Sequence, residues 1–173
     1  MRGLDELGFS ACLKHFPGIG ATAEDTHKGL ATVERTAEEF RAEEFTVFQA
    51  GIDAGAEFVM VGHVDAPQLT GDNTPASMSS VIVTDILRNE LGFDGVVITD
   101  AMNMKAISEY YGADEAAVKA LKAGCDMILM PEDFNKAYMG VLQALADGTI
   151  AEERINDSIK RIYRVKYAGK FEE

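Results

Sequence analysis

The sequence predicts an α/β fold built from parallel strand–helix units, and three observations lead there. The first is an internal repeat. Residues 54–61 match residues 123–130 position by position in residue type, and residues 91–98 form a looser third copy. Each copy reads as a helix end, a glycine cap (Gly55, Gly124, Gly92), an acidic turn residue (Glu57, Asp126, Asp94) and a buried strand. The second is the character of those strands. Val96, Val97 and Ile98 are an uninterrupted apolar run, as in a strand covered on both faces. The third is the alternation of strands with helices, which implies parallel pairing through right-handed crossovers. A closed barrel and an open doubly wound sheet both satisfy this pattern. No G-x-G-x-x-G follows any strand, which counts against a dinucleotide-binding sheet.

Each element follows in order. Residues 10–13 read as a short first strand, closed by the polar pair Lys14-His15 and the turn Phe16-Pro17-Gly18. Residues 21–32 show neither helical nor strand periodicity and read as a long loop. Thr36-Ala37-Glu38-Glu39 is a capping box. It opens one helix with Phe40, Phe45, Phe48 and Ile52 on its buried face, ending near Gly55. Residues 58–61 are the second strand, followed by Gly62-His63-Val64-Asp65 and a polar turn at residues 71–75. Ser79 or Ser80 caps the next helix, which carries Ile82, Ile86 and Leu87 to a stop at Gly92.

The third strand ends at Asp100, and a short helical stretch and a helix over residues 114–123 follow. Residues 127–130 are the fourth strand. Pro131-Glu132-Asp133 opens a helix stopped by Gly148. The last helix, residues 151–167, places Ile155, Ile159, Ile162 and Val165 on one face. Four strand–helix units are half of what a closed eight-stranded barrel of about 250 residues needs. Four parallel strands also leave two bare edges that must be paired or covered.

Bulk properties narrow the function. The 173 residues suffice for one domain with a sizeable core, and 47% are hydrophobic. A formal charge of -13 argues against nucleic acid and anionic membranes as partners. No apolar stretch approaches membrane-spanning length. The two cysteines, Cys12 and Cys125, lie in or beside apolar runs and are expected as buried free thiols without zinc-type spacing. Residues 1–10 carry no signal-peptide pattern. Together with the sparse cysteines this favours the cytoplasm over secretion.

The chemistry-bearing residues gather at one kind of place. All three histidines, His15, His27 and His63, fall at strand C-terminal ends or in the loops after them, and so does Asp100. In a parallel barrel these positions share the rim that carries catalysis. Asp25 and His27 are two apart, so in extended chain their side chains point the same way. The carboxylate fixes the imidazole tautomer and makes His27 a competent general acid or base. Asp100 is then a candidate nucleophile, or a stabiliser of a developing cation. Lys14 and His15 are candidate donors to substrate hydroxyls or anionic groups. His63 is either a further rim residue or a hydrogen-bonded core histidine. A rival arrangement makes His15, His27, His63, Asp25 and Asp100 ligands of a hydrolytic zinc, although neither H-x-H nor H-E-x-x-H is present.

Lys14-His15-Phe16-Pro17-Gly18, Asp25-Thr26-His27, Pro75-Ala76-Ser77-Met78-Ser79 and the run from Gly92 to Met102 together resemble glycoside hydrolase family 3, in its bacterial β-N-acetylglucosaminidase branch. The resemblance covers essentially the whole chain. It implies a partial (β/α)8 TIM-type barrel domain over residues 1–173, equivalent to strands 5–8. It implies a retaining β-N-acetylhexosaminidase that needs neither metal nor cofactor. Asp100 would be the nucleophile, His27 with Asp25 the general acid/base, and Lys14, His15 and His63 substrate-binding residues. The substrate would be terminal β-linked N-acetylglucosamine on a peptidoglycan or chitin fragment.

Two departures stand out. Ile19 occupies a position where many family members carry His, and the early strands that supply an Asp and an Arg for the sugar are missing. The expected partners are therefore a small carbohydrate together with either a second copy or a complementary N-terminal half-barrel. A family 3 β-glucosidase and a half-barrel with no activity of its own are the alternatives.

Overall fold

The computed structural model describes residues 3, 7–20 and 30–168. Its centre is a parallel three-stranded sheet in the order β1 (Cys12–Phe16), β3 (Phe58–Val61), β5 (Val96–Thr99). Val59 faces Val97 across β3 and β5, and Leu13 faces Val59 across β1 and β3. Val59, Val61, Val96 and Val97 are completely buried, as expected for strands covered by helices. The three glycines of the internal repeat all adopt left-handed backbone, with φ of 86° at Gly55, 68° at Gly92 and 118° at Gly124. Each turns a helix end into the next strand, a conformation that a Cβ disfavours.

β1 differs from its expected range. It begins at Cys12 and carries Lys14 and His15 within it, because Phe16 continues into the core opposite Val61. The register with β3 slips between Lys14 and Phe16, and the Lys14–His15 and Phe16–Pro17 peptides are both cis. Cys12 is exposed at this edge strand rather than buried, whereas Cys125 is buried as expected. The loop expected to extend to residue 32 ends in a short strand, β2 (Ala31–Thr32), paired in parallel with β4 (Val64–Asp65).

The Thr36 capping box forms: the Glu39 amide donates to Thr36 Oγ1 at 3.2 Å, and the Thr36 amide donates to Glu39 Oε2 at 2.8 Å. The single helix expected after it is two, α1 (Ala37–Ala42) and α2 (Glu44–Asp53), broken at Glu43. The reason is Phe40 and Phe45. Five residues apart in one helix, they would point about 140° away from each other. The break lets their rings stack at 5.5 Å, with Phe16 lying 5.6 Å from Phe45 and 5.0 Å from Phe48.

After the short α3 (Pro67–Thr70), α4 (Val81–Glu90) is wound wider than an α-helix and ends with the Leu91 amide donating to the Ile86 carbonyl at 2.8 Å. Ser80 makes no side-chain cap, and Ser79 Oγ lies 3.5 Å from the Ile82 amide. The remaining helices are α5 (Lys105–Ser108), α6 (Ala113–Ala123), α7 (Phe134–Ala146) and α8 (Glu152–Lys166). Asp133 caps α7 by accepting from the Lys136 amide at 2.9 Å.

The expected fourth strand, residues 127–130, is reduced to one parallel bridge between Met127 and Ile98. The ladder stops because Thr99 Oγ1, a side chain, takes the Leu129 amide at 3.0 Å, while the Leu129 carbonyl accepts the Met102 amide at 2.9 Å. Beside this segment Met130, Phe134, Tyr138 and Met139 are exposed. The apolar face of α8 is only partly covered, and Ile159 is 41% exposed.

Opposite the C-terminal strand ends, α8 is fixed by charge. Asp126, with a side chain of 0% exposure, receives Arg88 Nη2 at 2.5 Å, the Val97 amide at 2.9 Å, Ser158 Oγ at 2.7 Å and Arg161 Nη1 at 3.5 Å. Arg154 Nη2 lies 3.6 Å away. Asp94, the acidic residue of the looser repeat, pairs with Arg161 and Arg164 at the surface. No helix among the described residues is long and apolar enough to cross a membrane.

Candidate active site

Asp100 stands where β5 ends, at the rim formed by the C-terminal ends of β1, β3 and β5. Its amide donates to the Val61 carbonyl at 2.8 Å, which ties the residue back to β3. Its carboxylate is divided between two environments. Oδ1 accepts the Ala101 amide at 2.8 Å, and Oδ2 lies 3.6 Å from His15 Nε2. Both side chains are partly accessible, His15 to 24% and Asp100 to 19%. One oxygen is thus held by the backbone while the other lies beside His15.

β1 supplies His15, and the approach of β3 beneath it depends on Gly62. A Cβ on Gly62 would come 3.3 Å from the His15 Cβ, tighter than ordinary packing. Lys14 lies on the same strand, exposed and opposite Met60. Asp25 and His27 lie outside the described residues. Among the described residues no group of three or more His, Cys, Asp or Glu is placed to hold a metal ion.

His63 sits behind the rim. It is 1% exposed, with Nδ1 2.8 Å from Ser77 Oγ and Nε2 3.1 Å from the Ala101 carbonyl. A carbonyl only accepts, so Nε2 carries the proton and Nδ1 accepts from the Ser77 hydroxyl. Burial lowers the imidazole pKa, opposed by the Ala101 carbonyl and the Asp100 charge, and the ring is held neutral. Its two nitrogens serve the protein, the hydrogen-bonded core alternative of the sequence reading.

Sequence reasoning missed Ser77, which is completely buried, and Asp65, whose Oδ1 is buried without a hydrogen-bond partner among the described residues. Neither carries a local signal. Ser77 looks like one of several serines before a helix, and Asp65 like a turn residue after a strand.

Residues 1–165 match the family model described as "Glycosyl hydrolase family 3 N terminal domain". The chain belongs to glycosyl hydrolase family 3. It is 43% identical over 143 residues to a "Beta-hexosaminidase" of Stenotrophomonas maltophilia (strain K279a), an alignment covering 82% of this chain and 42% of that protein. A family 3 β-N-acetylglucosaminidase from Paenibacillus sp. str. FPU-7 superposes with a TM-score of 0.92 at 42% identity, over 95% of this chain and 32% of that one. The β-N-acetylglucosaminidase of Thermotoga maritima superposes with a TM-score of 0.87 at 32% identity, over 98% and 37%. The chain therefore spans well under half the length of these relatives, and its parallel strands and covering helices correspond to part of the fold of the two solved structures.

Proposed function

We propose that this chain is the nucleophile-bearing part of a retaining β-N-acetylhexosaminidase that removes terminal β-linked N-acetylglucosamine from peptidoglycan or chitin fragments. The observation that carries the reading is Asp100: a carboxylate at a strand C-terminus, Oδ1 held by its neighbour's amide and Oδ2 3.6 Å from His15 Nε2, in a family 3 chain similar to β-hexosaminidases.

In the first step Asp100 attacks the anomeric carbon, and the bond to the leaving oxygen breaks. His27, oriented by Asp25, passes its proton to that oxygen. In the second step water attacks the same carbon, His27 takes the proton, and Asp100 is released. Two inversions give net retention of the β configuration. A histidine here replaces the second carboxylate that most glycosidases use. Lys14 and His15 bind sugar hydroxyls.

Among the described residues no strand pairs with the outer sides of β1 and residues 127–130, and this, with the exposed Met130, Phe134 and Tyr138, supports a second element of this reading. A complementary N-terminal half-barrel pairs with both edges and completes the sugar site.

The test is release of chromophore from an aryl β-N-acetylglucosaminide against an aryl β-glucoside, by this chain alone and mixed with the complementary half. Preference for the first substrate, lost in Asp100→Asn and in His27→Ala, is the expected result. Equal turnover by Asp100→Asn removes Asp100 as the nucleophile. Preference for the glucoside selects the β-glucosidase alternative. Activity that vanishes with a chelator and returns with zinc selects the metal-dependent one.

A further inference from the structure

The candidate nucleophile rides on a short peptide after β5, and something must keep that peptide from relaxing toward solvent. The Ala101 amide binds Asp100 Oδ1, and the Ala101 carbonyl receives His63 Nε2–H at 3.1 Å and the Met104 amide at 3.0 Å. His63 comes from the end of β3, the strand paired with β5, and Ser77 from the turn before α4 (Ala76–Met78). Ser77 is fixed in its turn by Cys125, whose thiol donates to the Ser77 carbonyl at 3.4 Å. Both His63 and Ser77 are buried, so water does not compete for these bonds.

We propose that Ser77 and His63 form a positioning pair: the Ser77 hydroxyl, donating to Nδ1, holds the imidazole in place, and the His63 Nε2–H pins the Ala101 carbonyl and so sets the aim of the Asp100 carboxylate. Neither residue touches the sugar. The inference rests on Asp100 being the nucleophile. The neutral state of His63 fits the role, because a protonated ring would reverse the bond, Nδ1–H donating to Ser77 Oγ, and add a charge beneath the rim.

The experiment uses the full chain, ¹⁵N-labelled, as wild type, Ser77→Ala, His63→Gln and His63→Leu, each checked for folding by thermal melting. Gln places an N–H₂ near the Nε2 position and keeps the donor, whereas Leu keeps only the bulk. The wild-type imidazole ¹⁵N spectrum is expected to show the Nε2–H tautomer alone, and Ser77→Ala to keep that tautomer while the Nδ1 and Ala101 amide resonances move. The amide resonances of Asp100, Ala101 and Met102 are expected to move in His63→Leu and to stay near wild type in His63→Gln. In the assembled enzyme, His63→Leu is expected to lower kcat by about tenfold with KM within about twofold, and His63→Gln to recover most of it.

An Nδ1–H tautomer in the wild type overturns the proposal, and so do unmoved Asp100 and Ala101 amides in His63→Leu. If His63→Leu does not fold, the wild-type tautomer and the response to Ser77→Ala decide. Full turnover by Asp100→Asn overturns the functional reading instead, and the tautomer and amide shifts still judge the clamp.

Discussion

Replacing Asp126 by Asn is expected to cost about 3 kcal/mol of folding stability. The carboxylate is inaccessible and accepts from Arg88, the Val97 amide, Ser158 and Arg161. An amide keeps one acceptor oxygen and turns the other into a donor. Whichever way it flips, an N–H₂ then faces either Arg88 and the Val97 amide or Arg161. The Arg88 side chain is itself only 11% exposed and loses its counter-charge.

Breaking a buried ion pair typically costs 3–5 kcal/mol. The lower end applies here because Arg88 keeps the carbonyls of Phe93 and Gly95 as acceptors, and Arg154 keeps those of Leu121 and Cys125. For a domain of this size, a loss of about 3 kcal/mol lowers Tm by about 6–12 °C. Urea unfolding at neutral pH reads the free energy, with m unchanged if only the native state is affected. Asp94→Asn is the control. Its salt bridges lie at the surface, so it should change stability by less than about 1 kcal/mol. An Asp126→Asn variant within about 1 kcal/mol of wild type refutes the view that this network fastens α8.

Three further outcomes follow from the geometry. Gly62→Ala pushes a methyl against the His15 Cβ at 3.3 Å. It should cost about 1 kcal/mol in stability and about tenfold in kcat/KM of the assembled enzyme, and wild-type values in both measurements contradict the packing argument. In thiol titration of the folded chain, Cys12 should react and Cys125 should not, since burial pushes the Cys125 thiol up to about 12, and both should react in urea. Burial holds the folded pKa of His63 below its unfolded value of 6.5, so its contribution to stability is fully present above pH 6.5 and is lost as pH falls toward the lowered value. The urea midpoint should therefore drop below pH 6.5 by more in wild type than in His63→Gln, and equal slopes deny the buried neutral imidazole.

Repeating local chemistry was readable from residues alone. The three glycine caps lie in left-handed backbone where the internal repeat puts them, and β3 occupies its expected residues. The Thr36 capping box is equally local, since its partners are three residues apart. What escaped depends on distant partners. The helix break at Glu43 comes from Phe40 and Phe45 both reaching the core, and the fourth strand shrinks because the Thr99 hydroxyl takes a backbone amide. At the rim, Asp100 and His15 were legible as polar residues at strand ends, and the structure brings them within 3.6 Å. Ser77 was not legible, because only folding places it 2.8 Å from a histidine fourteen residues away.

The loop that carries Asp100 is sewn to the incomplete fourth strand. The Met102 amide reaches the Leu129 carbonyl, the Leu129 amide reaches Thr99 Oγ1, and the Thr99 amide reaches the Met127 carbonyl. Among the described residues, no strand pairs with the other side of the segment that carries these three stitches. A strand added there stiffens the segment and, through it, the peptide on either side of Asp100. Rigidity at the rim and closure of the sheet are therefore mechanically one property, and fraying of that edge reaches the carboxylate through Thr99 and Met102.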